Sequence, residues 1–223
     1  MTLRHTRATL ASAVIDVHNH VGVSINAYAR QEYPYAATAE GIYYRQKACG
    51  VDVSVVFPFT ADLFFDMAAF RRFRMKPARQ PLSPSPYAVE NELLLREVVD
   101  YCPELTPRFL PFVSVDPARC VRAQIRRLET LAARYPIYGV KVSGVLCQSP
   151  LTAFHGDGRP LMNLIRRRNW PVLLHTSCSM ADRFSNHEQA LGLAEAFPEI
   201  RFCLAHCIGF HRPALDRAAA LPN

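Results

Sequence analysis

Pro171-Val172-Leu173-Leu174-His175 is a short apolar run that ends on an imidazole. A brief, continuous apolar run of this kind reads as a strand buried on both faces, which is what a parallel sheet requires. The histidine closes its C-terminal end. That is the rim at which parallel barrels and open α/β sheets carry their chemistry. Ile200-Arg201-Phe202-Cys203-Leu204-Ala205-His206 ends in the same way. Four earlier stretches share the character of these two: residues 12–18, 51–57, 109–115 and 137–142.

Helical patterns fill the intervals. Thr38 is placed to cap a helix running to about Cys49, with Gly50 as its stop. Residues 89–101, 118–135, 161–168 and 187–197 carry apolar positions at helical spacing, and a last helix starts near Pro213. The strand–helix alternation recurs at the roughly 30-residue spacing of βαβ units. Six such units predict an α/β chain with a single domain over residues 1–223. Periodicity alone leaves two architectures open, a (β/α)8 TIM-type barrel that is incomplete or a doubly wound open sheet. Residues 60–87 are basic and contain prolines, and read as a long loop or lid after the second strand.

Composition narrows the function classes. Half of the 223 residues are hydrophobic and 20% are charged, a globular balance. No apolar run approaches the ~20 residues that span a bilayer. The first twelve residues carry Arg4 and Arg7, no acid, and no apolar core of a secretory signal. Seven cysteines, at 49, 102, 120, 147, 178, 203 and 207, include no C-x-x-C pair. They read as small residues in a reducing cytoplasm. The net charge of +7 gathers in Arg71-Arg72-Phe73-Arg74-Met75-Lys76 and Arg166-Arg167-Arg168. Without an aromatic-studded module around them, these runs read as a solvated loop and helix face, not a nucleic-acid site.

The polar residues decide between the architectures. Asp16, His18 and His20 occupy alternate positions of the first strand, so they line one side of it. His175 and His206 close two other strands, and Lys141 sits near the end of a fourth. Four histidines and a lysine at the C-terminal ends of four apolar strands are hard to treat as packing. Neutral imidazoles gathered there suit zinc or a similar first-row metal.

In this order and spacing the motifs resemble the amidohydrolase superfamily, in its amidohydrolase-related branch with aminocarboxymuconate-semialdehyde decarboxylase. They are Ile15-Asp16-Val17-His18-Asn19-His20, residues 49–56, Val115-Asp116-Pro117, Gly139-Val140-Lys141-Val142, residues 171–176 and Leu204-Ala205-His206. The resemblance implies a (β/α)8 barrel. It implies His18, His20 and His175 as ligands of a divalent metal, most simply zinc, with manganese as the alternative. It implies His206 as the catalytic acid–base, and Asp16 and Lys141 as supporting or substrate-side residues. Lys141 matches a position that is carboxylated in two-metal members. The implied reaction is attack of a metal-activated water on a small carbonyl-containing or carboxylated substrate, with decarboxylation as the alternative. The partner is a small molecule; homo-oligomerisation is compatible with it, and neither a membrane nor nucleic acid is implied. A metal-dependent nuclease of the TatD type is the more distant reading, lacking a matching loop motif. The family also carries an aspartate after an eighth strand. Residues 1–223 stop before such a strand, about 60 residues short at the usual unit length. The expectation is therefore that the 223-residue chain alone self-associates and turns over little substrate.

Overall fold

The computed structural model describes residues 10–23, 36–72, 74–177 and 179–223. Strand β1 (Ile15–Val23) leads to a two-residue strand β2 (Ala36–Ala37) and helix α1 (Ala39–Ala48). Then come β3 (Val53–Pro58), α2 (Ala88–Arg96), β4 (Phe109–Val115), α3 (Val121–Arg134) and β5 (Gly139–Val142). The series continues with α4 (Arg159–Arg168), β6 (Val172–Leu174), α5 (His187–Ala196), β7 (Phe202–Leu204) and α6 (Arg212–Ala219). The sheet order is β2-β1-β3-β4-β5-β6-β7. β2 pairs antiparallel with the end of β1, and the other six strands are parallel. They curl into an incomplete barrel, as the six expected strand–helix units require. The short β2 was not foreseen, because two alanines carry no strand signal.

Local chemistry sets the helix ends. Thr38 Oγ1 accepts from Gly41 N–H at 3.1 Å and caps α1. Asn186 Oδ1 accepts from Gln189 N–H at 3.0 Å and caps α5. Asn169, in the left-handed conformation at φ 53°, ends α4. The single helix expected over residues 89–101 divides. Its α-helical part ends at Arg96, and Glu97–Tyr101 widen into a π turn. Glu97 there reaches back to accept from Ala39 N–H at 2.6 Å, giving α1 a second cap.

Alternation along the strands separates two cores. Outward-facing Val113, Val115, Val140, Val142, Val172 and Leu174 pack on Leu128, Leu131, Leu161, Leu164 and Ile165 of α3 and α4. Inward-facing Val53, Val55, Phe57, Leu110, Phe112 and Leu173 fill the concave side. Gly139 belongs to this inner packing, since a Cβ there would lie 2.4 Å from the Phe112 ring.

Residues 60–87 are not an open flap. Phe64, Phe65, Phe70 and Tyr87 are buried. Arg119 pins the segment to the body. It donates to Asp116 at 2.8 Å, to the Cys147 carbonyl at 2.8 Å and to the Met75 carbonyl at 3.2 Å. The sequence shows the basic, proline-bearing surface of this segment, but not its half-buried partner Arg119, which is 44 residues beyond Met75.

Candidate active site

β1 delivers His18 and His20, and it does so through an irregularity. Asp16 pairs with Ser54 of β3 while Asn19 pairs with Val56, so β1 spends one extra residue between them. Strict alternation therefore breaks at this point. Asp16 Oδ1 accepts from the His18 backbone N–H at 3.0 Å, and its Oδ2 accepts from Gln46 Nε2 at 2.6 Å. Gln46 also donates to Asn19 Oδ1 at 2.8 Å. Asp16 thus holds the backbone of the bulge against α1 and acts on His18 through the main chain.

Four imidazoles meet at the C-terminal rim. The His18 ring lies 5.3 Å from His20 and 5.1 Å from His206, centroid to centroid. His206 lies 4.9 Å from His175, and His206 Nε2 is 3.1 Å from His175 Nδ1, so one ring donates and the other accepts. Phe57, the last inward residue of β3, stands edge-on to both His18 and His20 at 5.2 and 4.7 Å. Phe59 is edge-on to His20 at 4.3 Å. Lys141 rises from β5 with its ammonium 5.0 Å from the Phe57 ring centre. It is 3% exposed, and Nζ has no hydrogen-bond partner.

The electrostatics keep the rings neutral. Burial, then Lys141 and the neighbouring imidazoles, lowers His18 to about 4. Burial, then His18 and Lys141, lowers His20 to about 3. Burial and Lys141 lower His175 to about 4, and the same two causes lower His206. Burial brings Lys141 down to about 7. Neutral imidazoles are the form that ligates metals. His20 Nδ1 is moreover buried without a partner, a cost that a bound cation would remove. The donor chemistry therefore fits a divalent metal. Among the described residues, however, no group of three or more His, Cys, Asp or Glu side chains is already drawn in to ligating geometry.

The backbone at His206 is unusual. Residues 206–210 run through five successive positive φ values, 60, 48, 50, 63 and 60°. Only Gly209 among them takes that conformation without cost. The turn carries the His206 ring across the rim to His175. The other histidines lie apart from the cluster: His187 and His211 stack on each other at 4.3 Å, and His155 stacks on Phe197 at 6.1 Å. His5 lies outside the described residues. Gln46, Phe57 and Phe59 were missed from sequence. The two rings were available in principle, one by alternation along β3 and the other just past its end, whereas Gln46 joins the site only through the bulge.

A family model for amidohydrolases matches residues 15–223. The chain belongs to the amidohydrolase family. No curated protein sequence matches this amidohydrolase. Among solved structures, it is similar to a 2,6-dihydroxybenzoate decarboxylase complexed with 2,6-dihydroxybenzoate. The identity is 15% and the TM-score 0.60, covering 92% of this chain and 69% of that one. It is also similar to a 5-carboxyvanillate decarboxylase of Novosphingobium aromaticivorans with bound manganese, at 13% identity and TM-score 0.58, covering 86% and 65%. A third is a protein of Acinetobacter baumannii assigned as a 2-pyrone-4,6-dicarboxylic acid hydrolase. It matches at 18% identity and TM-score 0.52, covering 95% and 67%. The amidohydrolase thus spans about two thirds of the length of these structures, and at such identities the likeness is one of fold. No described helix is long and apolar enough to cross a membrane.

Proposed function

We propose that this amidohydrolase uses a divalent metal, held by His18, His20 and His175, to hydrolyse a small carbonyl-containing or carboxylated substrate. The observation that carries the reading is the gathering of four neutral imidazoles around a buried, unpartnered Lys141 at the strand ends. Zinc is the first expectation, and manganese the second. A bound metal would lower the pKa of a water and polarise a carbonyl. His206 is the mobile proton carrier. It is the most exposed of the four rings, it is neutral near pH 7, and its partner His175 fixes which nitrogen bears the proton. Lys141, packed with its ammonium beside the Phe57 ring, is assigned a supporting or substrate-side role. Decarboxylation is the second reading, favoured by the two fold relatives that are decarboxylases of hydroxylated benzoates. Free Cys49, Cys102, Cys120, Cys147, Cys203 and Cys207 support a reducing, cytoplasmic setting.

The test is metal titration of the full chain, followed by turnover assays. The expected result is uptake of one zinc or manganese that is lost in His20→Ala and His175→Ala. With metal bound, ring opening of a cyclic ester would support hydrolysis, and CO₂ release from a dihydroxybenzoate would support the second reading. Metal uptake unchanged in both variants would sink the ligand assignment.

A further inference from the structure

The left-handed turn that carries His206 is held from outside the histidine cluster. Residues 206–210 all have positive φ, and L-residues persist there only where their surroundings over-determine the backbone. The turn is anchored at its entry, its middle and its exit. At the entry, the Thr176 hydroxyl donates to the Ala205 carbonyl, which ties the turn to the residue after His175. In the middle, Ile208 is 1% exposed and packs on Leu191 of α5. At the exit, the His211 ring stacks on the ring of His187, the first residue of α5, at 4.3 Å and 23°. His187 and Leu191 stand in the i, i+4 relation, so one face of α5 meets both the middle and the end of the turn.

His187 is buried, and its Nδ1 has no hydrogen-bond partner. Its Nε2 lies 3.6 Å from Glu188 Oε1, beyond hydrogen-bond reach. Glu188 is engaged elsewhere, since its Oε2 accepts from Arg217 Nη1 at 2.8 Å. Leaving a buried ring nitrogen unpaired costs stability. What the ring provides in that place is a flat face for His211. Among the described residues His187 has no ring contact with the four clustered imidazoles, so any effect it has on them passes through the turn.

We infer that His187 is a positioning residue for His206: stacked on His211, it holds the left-handed turn in the shape that keeps His206 Nε2 3.1 Å from His175 Nδ1. The contact runs from His187 to the His211 ring, back along residues 206–210, and out through the His206 side chain to His175. Release of the stack frees the exit of a turn that most L-residues avoid, and the His206 ring then leaves its partner nitrogen. The consequence for turnover rests on His206 being the proton carrier proposed above, whereas the consequence for ring geometry does not.

The experiment is heteronuclear NMR of the imidazole nitrogens in the full chain before any metal is added, on the parent and on His187→Ala, His187→Phe and His211→Ala. Circular dichroism checks each fold. His211 is exposed, so His211→Ala removes the stack without opening the core and serves if His187→Ala does not fold. In the parent, His175 and His206 should each show one fixed tautomer. In the alanine variants these two rings should move to the averaged signals of hydrated imidazole, with His18 and His20 unchanged. His187→Phe keeps a stacking face and should restore the parent pattern. With metal bound, the alanine variants should lose about tenfold or more in kcat while KM changes by less than about twofold. Parent-like His175 and His206 signals in a folded alanine variant would overturn the inference. So would a folded His187→Phe that behaves like His187→Ala. Displaced rings with undiminished turnover would uphold the positioning role and instead sink the reading of His206 as proton carrier.

Discussion

His206 hangs from backbone that L-residues avoid, and it is the most solvent-exposed ring of the cluster. Its partner nitrogen on His175 is 3.1 Å away. Replacing it should therefore touch proton transfer more than metal retention. In the metal-loaded enzyme, His206→Ala should lower kcat by about 100-fold or more, while metal content measured by elemental analysis stays near that of the parent. Loss of the metal would instead place His206 among the ligands. Glu90 gives a second prediction, on stability. Its carboxyl is held at about 7 against an ordinary 4.5. The folded chain thus keeps a proton that the unfolded chain releases. Stability contributed by that proton is intact below pH 4.5 and is lost as pH rises through 7. Glu90→Gln, which does not titrate, should lack this decline. Above pH 8 it should be more stable than the parent by on the order of 3 kcal/mol, as denaturant melts across pH would show. His175 and His206 were legible in the sequence because each closes an apolar strand. The role of Glu90 was not, since on helical spacing it is an ordinary surface carboxylate. It is drawn inward by a contact from another segment, the Leu63 N–H that donates to it at 3.0 Å.

At the scale of elements, two features carry stability or strain that no periodicity reveals. The first is the Arg119–Asp116 pair. The Asp116 side chain is fully buried and the Arg119 side chain is 23% exposed. Ser149 also donates to Asp116 at 2.7 Å. Arg119→Met should leave that carboxylate uncompensated and cost about 3–5 kcal/mol. It should also release residues 60–87, which limited proteolysis would detect as new cleavage among Arg71, Arg72, Arg74 and Lys76. The second is the left-handed turn after β7. Phe210 has φ 60° and is 81% exposed, so its side chain gains little from packing. Phe210→Gly should raise the unfolding free energy by about 1 kcal/mol, seen as a higher melting temperature. The strands and the longer helices were readable because each satisfies its own periodicity. The bulge at Asp16–Asn19, the π turn and the left-handed turn were not, because each answers to a partner on another element.

At the scale of the molecule, stability and chemistry occupy opposite sides of one sheet. The outer layer between β4–β6 and helices α3–α5 holds most of the large buried side chains, whereas the histidines face the concave side. Leu164→Ala, in α4 with 1% exposure, should cost about 2–5 kcal/mol yet leave metal affinity of the remaining folded protein unchanged. A proportional loss of both would mean that the two layers are coupled. The six parallel strands also pair in the order in which they occur in the chain, each new one beside its predecessor. A polypeptide emerging from the ribosome can therefore add one unit at a time to a growing edge, with no earlier strand waiting for a later one to be inserted beside it. The histidine cluster obeys a different timetable. His18 and His20 leave the exit tunnel first, and His206 arrives only after every other described strand is made. During synthesis, most of the scaffold can be in place before the cluster exists, so the nascent chain acquires shape well before it acquires chemistry.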